Sequence, residues 1–123
     1  MRALVVDDSR PIRRIESDIL QELGFETAVA VDGRDALNQL QSLESLPDVV
    51  LVDWNMPEMD GLEFIKTLRR DPRYAGVVVL MVTTETETNQ MLRALSAGAD
   101  EYLMKPFQKD GLIDKLRLVG VVQ

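Results

Sequence analysis

The 123-residue chain contains no cysteine and no histidine. Without cysteine there are no disulfides and no thiolate chemistry. Without either residue, Cys/His zinc sites, histidine triads and a phosphohistidine carrier are excluded. Aromatics make up only 5% of the chain, so a core must be largely aliphatic. Positive charge is the minority sign, with 14 Lys and Arg against 21 Asp and Glu, a net charge of −7. That balance argues against a nucleic-acid partner or an anionic membrane surface and tolerates a multivalent cation. Long hydrophobic runs are missing, and a membrane span needs about 20 apolar residues. The opening MRALVVDD is too short and too soon acidic for a signal peptide. The expected location is cytoplasmic, with no membrane partner.

What is present is an alternation. The length suits one domain at roughly 100–200 residues per domain, and no linker, repeat or low-complexity stretch interrupts it. Apolar runs at Ala3 to Val6, Thr27 to Val31, Val49 to Val52, Val77 to Val82 and Tyr102 to Met104 read as strands. Between and after them lie helical periods. Ile12, Ile15, Ile19, Leu20 and Leu23 form the first, with Ser9 as cap, Pro11 in its first turn and Gly24 at its end. Asp32 caps a second helix that turns Ala36, Leu37, Leu40 and Leu43 inward. Asp60 with Glu63 opens a third, carrying Leu62, Ile65 and Leu68. Thr84 with Glu87 can open a fourth, carrying Met91, Leu92 and Leu95, and Leu112, Ile113 and Leu116 mark a fifth. Continuous apolar strands alternating with helices imply a parallel sheet covered on both faces, an α/β fold.

In such sheets ligands bind beyond the carboxyl ends of the strands. There the sequence places Asp7 and Asp8 after the first strand, Asp53 after the third, Thr83 and Thr84 after the fourth, and Lys105 and Pro106 after the fifth. Only the second strand delivers no such group, as an edge strand would. Three neighbouring carboxylates repel one another unless a cation joins them, and hard oxygen ligands suit Mg²⁺. A lysine and a hydroxyl can meet phosphoryl oxygens, and an ionised carboxylate can attack phosphorus without a general base. Taken singly, each residue has an ordinary account: Asp7 or Asp8 as a helix cap, Asp53 as a turn residue, Thr83 or Thr84 as a cap, Lys105 as a solvated lysine. Their shared place at successive strand tips is what favours chemistry.

The segments VVDDS (5–9), VDWNMPEMDGLE (52–63), VTT (82–84) and SAGADEYLMKPF (96–107), in that order, resemble the receiver domain of two-component response regulators. The likeness is strongest to the single-domain, chemotaxis-type members and covers essentially the whole chain. The resemblance implies one receiver domain over residues 1–123 with no output domain. It also implies a flavodoxin-like five-stranded parallel sheet in the order 2-1-3-4-5, which is the family's order and a standard example of the doubly wound sheet. By the same likeness Asp53 is the phosphoacceptor. Mg²⁺ is held by Asp8, Asp53 and the backbone carbonyl of Asn55, with Asp7 acting through water. Thr83 and Lys105 bind the phosphoryl group, and the Lys105–Pro106 bond is cis. Thr83 and Tyr102 form the switch, read out at a face of the fourth helix, fifth strand and fifth helix that includes Leu95, Tyr102 and Lys109. Asn55 and Glu85 stand where the family tunes the lifetime of the phosphoryl group, and Thr84, which departs from the small residue usual after the switch hydroxyl, is expected to affect it by crowding the site or restricting water.

The implied protein is a monomeric signalling switch rather than an enzyme. It accepts phosphoryl from a sensor histidine kinase or phosphotransfer protein and acts by binding a downstream target. Three rivals stand beside it. A haloacid-dehalogenase-type phosphatase also uses a strand-tip Asp with Mg²⁺, Thr and Lys, but needs an acid where Asn55 stands. A receiver that has lost phosphorylation would be a pure binding module. The chain can also be a receiver fragment of a larger regulator.

Overall fold

The computed structural model describes residues 1–43, 45–84 and 88–122. Strands β1 (Arg2–Val6), β2 (Glu26–Ala30), β3 (Val49–Asp53), β4 (Val78–Thr83) and β5 (Glu101–Met104) alternate with helices α1 (Arg10–Glu22), α2 (Gly33–Ser42), α3 (Gly61–Arg69), α4 (Thr88–Ala97) and α5 (Lys109–Leu118). A short 3-10 helix, Pro72–Tyr74, follows α3. The strands form one parallel sheet in the order β2-β1-β3-β4-β5, as the flavodoxin-like expectation required. β2 lies at an edge, which accounts for its lack of a polar tip.

The helices start where side chains satisfy their free N–H groups. Ser9 caps α1, Asp32 accepts from Asp35 N–H at 2.8 Å, and Asp60 accepts from Glu63 N–H at 2.8 Å. After α1, Gly24 takes φ +95, a conformation that costs glycine little.

Strand boundaries move by a residue for identifiable reasons. β2 begins at Glu26, which pairs with Arg2 in register and by an ion pair at 3.5 Å. It stops before Val31, whose N–H donates to the Asp35 carboxylate at 3.0 Å instead of to a strand. Val77 belongs to a turn, its N–H donating to Tyr74 O. The pairing of Thr83 with Met104 extends β4 to the hydroxyl residue.

Two apolar layers sandwich the sheet. One joins Ala3, Val5, Val49, Leu51, Leu80, Val82 and Leu103 to Leu20 of α1 and to Leu112 and Leu116 of α5. The other joins Leu4, Val6, Val50, Val52, Val79, Met81 and Tyr102 to α2, α3 and α4 through Ala36, Leu40, Phe64, Ile65, Leu68 and Ala94. Three residues of the helical periods lie outside these layers, Leu95 among them as its place on the readout face requires. Ile15 is 52% exposed, and Leu92 and Leu95 lie outside on α4, which packs through Ala94 and half-buried Met91.

Arg69 ties the α3 end to two connections. Its Nε donates to Gly98 O at 3.0 Å, Nη1 to Tyr74 O at 2.9 Å, and Nη2 to Asp100 Oδ2 at 3.0 Å. The same Asp100 oxygen accepts from Val79 N–H at 2.8 Å, so β4 and the start of β5 share one anchor.

Candidate functional site

Side chains alternate between faces along a strand, and this sorts the strand-tip residues. Ala3 and Val5, Val49 and Leu51, and Leu103 all face the α1–α5 layer. Two residues further along each strand come Asp7, Asp53 and Lys105. The acids and the lysine therefore converge on the α1–α5 side. Thr83 and Tyr102 follow the opposite alternation, with Val79 and Met81, toward α4. Tyr102 stands opposite Met81 in register and is buried.

The convergence is close. Lys105 Nζ donates to Asp7 Oδ2 at 2.9 Å and to Asp53 Oδ1 at 3.1 Å. Asp7, Asp8 and Asp53 each bring a carboxylate oxygen within 4.8 Å of the others. Asp7 is 1% exposed and Asp53 8%, while Asp8 faces solvent. Burial, then the Asp7 charge, push the Asp53 carboxyl above its ordinary value, and Lys105 opposes both. Burial works against the Lys105 ammonium, yet the hydrogen bonds and charges of Asp7 and Asp53 outweigh it and hold its pKa high. Net negative charge remains. The donor set is hard, anionic and mutually repelling, and so fits a divalent cation such as Mg²⁺.

Local backbone holds the acids in place. Asp7 N–H donates to Ala30 O at 3.1 Å, and Ser9 N–H donates to Asp7 Oδ1 at 2.8 Å. Arg13 Nη1 donates to Asp7 O at 2.7 Å. Lys105 N–H donates to Thr83 O at 2.8 Å, and the Lys105–Pro106 bond is cis, as the family likeness implied. Past Asp53, Trp54 is 7% exposed and lies under the Arg93 guanidinium of α4 at 5.9 Å. The loop returns through Glu58, at φ 66, to Gly61, whose N–H donates to Trp54 O at 2.8 Å.

The remaining candidates lie around this centre. Asn55 is exposed in the loop after β3. Thr84 is exposed and lines an apolar cleft with Ile12, Ile15, Lys105, Pro106 and Phe107. Thr83 is fully buried at the β4 tip. Glu85 and Glu87 fall outside the described residues, so neither the rate-tuning expectation at 85 nor the capping pair is placed.

One ionisable group was missed. Glu16 of α1 is 1% exposed, and its Oε1 has no hydrogen-bond partner. Burial first, then the charges of Asp7 and Asp53, against Lys105, push its carboxyl up from 4.5 to about 8. The signal was there: position 16 lies four residues after Ile12 and four before Leu20, on the inward stripe. Reading only apolar residues as inward passed over it.

Comparison with known proteins agrees with this geometry. The model of the response regulator receiver domain matches residues 3–117. Chemotaxis protein CheY1 of Helicobacter pylori is 39% identical over 120 residues, covering 97% of this chain and 96% of that protein. The phosphate regulon transcriptional regulatory protein PhoB of Klebsiella pneumoniae is 39% identical over 118 residues, of which this chain spans 51% of the length. Among solved structures, chemotaxis response regulator CheY4 of Vibrio cholerae superposes with a TM-score of 0.89 at 40% identity, covering 96% of this chain and 97% of that one. The chain is a CheY-like member of the response regulator receiver domain family.

Proposed function

We propose that this receiver domain is a phosphorylation-dependent signalling switch with Asp53 as its phosphoacceptor. The observation that carries the reading is Lys105 Nζ, held by both Asp7 and Asp53 beside a third carboxylate at the sheet edge. An Asp53 oxygen attacks the donor's phosphorus. The new O–P bond forms as the bond to the leaving group breaks, and the leaving group departs with its electron pair. No proton leaves Asp53, so no general base is required. Lys105 presents its ammonium to the phosphoryl oxygens, and the Thr83 hydroxyl moves toward them from the other sheet face. Asp8, Asp53 and the Asn55 carbonyl would hold Mg²⁺, with Asp7 acting through water. The ion supplies charge neutralisation for the transferring group.

Phosphorylation adds about 1.5 to 2 negative charges. Thr83 and Tyr102 lie on the opposite sheet face from the acids, toward α4, so a shift of Thr83 carries the change to the α4–β5–α5 side. Leu95 and Lys109 are exposed there, ready for a downstream protein. A sensor histidine kinase or phosphotransfer protein supplies the phosphoryl group. A chemotaxis-type role is supported by the names of two relatives that match nearly end to end.

The test is intact mass after incubation with acetyl phosphate and Mg²⁺. A labile single phosphoryl adduct, absent in Asp53→Asn, is expected. Absence of the adduct with both acetyl phosphate and a cognate kinase would sink the assignment. Steady release of phosphate from simple esters would mark a phosphatase instead, a reading that Asn55 disfavours because no acid stands in its place.

A further inference from the structure

Positive charge gathers at one place on this acidic chain. Arg10, Arg13 and Arg14, with Ser17 and Val29, line an open cleft of about 200 Å³ between α1 and the edge strand β2. These α1 positions follow the i, i+3, i+4, i+7 pattern of one helix face. Among the described residues no acid lines the cleft. Among the described residues none of the three arginines forms an ion pair, whereas Arg2, Arg69, Arg73, Lys105, Lys109, Lys115 and Arg117 all do. Asp18, four residues beyond Arg14, forms no ion pair with it. The cations also sit at the positive end of the α1 dipole, where anions are favoured, and the first turn of α1 holds no acid.

An independent observation comes from Ser17. It is 8% exposed, lines this cleft, and its hydroxyl has no hydrogen-bond partner. Buried polar atoms in folded proteins are nearly always satisfied. The partnerless Ser17 hydroxyl belongs to a cleft whose Arg10 and Arg14 guanidiniums are also unpaired, while Arg13 spends one of its donors on Asp7 O.

We propose that this cleft binds an anion of the phosphate class, inorganic phosphate or a phosphate monoester. Arg10 and Arg14 supply charge and forked donors, and the Ser17 hydroxyl, buried in this structure, joins them by turning about its Cα–Cβ bond. Arg13 connects the cleft to the acidic centre, since its Nη1 donates to Asp7 O at 2.7 Å. A guanidinium has five N–H donors, so Arg13 keeps this bond while donating to a bound anion. Occupancy therefore steadies the segment that carries Asp7 and Asp8. The site is separate from the phosphoryl position beside Lys105.

The experiment is an amide NMR titration of the full chain with inorganic phosphate, without Mg²⁺, against sodium chloride at matched ionic strength. Saturable shifts are expected at residues 10–17 and at Asp7 and Asp8, with none from chloride. They should weaken at least tenfold in Arg10→Gln/Arg14→Gln, whose side chains are exposed. They should weaken about threefold in Ser17→Ala and persist in Lys105→Ala. Parallel titrations with adenosine monophosphate and a phosphoserine peptide separate the sources. Tighter binding of the peptide assigns the site to a partner's phosphorylated side chain, and tighter or equal binding of the small anions to a free phosphate compound. Shifts that follow ionic strength alone, survive the double substitution, or vanish only in Lys105→Ala overturn the proposal. Failure of Asp53 to accept phosphoryl, read by mass, leaves these outcomes independent.

Discussion

Gly61 lies against the backbone of Asp53: a Cβ on Gly61 would stand 2.3 Å from the Asp53 carbonyl oxygen and 3.0 Å from Trp54 Cα. Both neighbours are backbone, so neither can swing aside. Gly61 also donates to Trp54 O at 2.8 Å. Gly61→Ala must therefore displace the tip of β3 or the start of α3. The expected cost is about 1–3 kcal/mol by urea denaturation, with the phosphoryl adduct on Asp53 reduced at least tenfold. Wild-type stability in the variant would show that the loop moves freely and that this contact does not position Asp53.

Lys105 competes with a metal ion for the carboxylates it now holds. Lys105→Met removes a positive charge within 2.9 and 3.1 Å of Asp7 and Asp53. Mg²⁺ affinity, followed by Trp54 fluorescence, should rise about tenfold. Phosphoryl transfer from acetyl phosphate should fall about 100-fold, because a cation aimed at the phosphoryl oxygens is gone. Opposite signs in the two measurements separate this role from a general loss of structure, which would lower both.

Glu16 makes stability depend on pH. Its carboxyl titrates near 8 in the folded chain against an ordinary value of 4.5, so between these values the folded state holds a proton that the unfolded state has released. Stability is then full below 4.5 and declines as pH rises toward about 8, by on the order of 5 kcal/mol. Asp53, shifted the same way by burial and Asp7, adds to the decline. Denaturation at pH 5 and at pH 8.5 should show the wild type weaker at the higher pH and Glu16→Gln much flatter. An identical slope in both proteins would remove Glu16 as the cause.

Arg93 is the only charged residue in α4, and its guanidinium stands 5.9 Å from the Trp54 ring. Arg93→Leu should change Trp54 emission and cost about 0.5–1 kcal/mol, while Arg93→Lys should keep part of both. Unchanged emission in Arg93→Leu would show that the ring does not sense α4.

Much of the fold was legible because its signals are local. Continuous apolar runs such as Val49 to Val52, caps at Ser9, Asp32 and Asp60, and the turn at Gly24 each act within a few residues. Their alternation leaves few topologies open. The acids and Lys105 were legible as a set because every strand of a parallel sheet ends on the same side. Glu16 was not, because helix periodicity marks a stripe without saying which residue types it admits. Ile15 shares the helical period yet lies outside, because a helix-wide apolar pattern is broader than the face that α1 presents to the sheet.

Sequence alone determined the alternation of elements, the acidic charge, the exclusion of cysteine and histidine chemistry, and which groups stand at the strand tips. Tertiary structure decided what those groups meet. Lys105 bridges acids 98 and 52 residues away because β5, β3 and β1 lie in one sheet. The pleat sends Asp7, Asp53 and Lys105 to one face and Thr83 and Tyr102 to the other. Burial raises the Asp53 and Glu16 carboxyls, since charge loses its water there. Pairing, burial and proximity depend on three-dimensional separation, and separation along the chain does not report it.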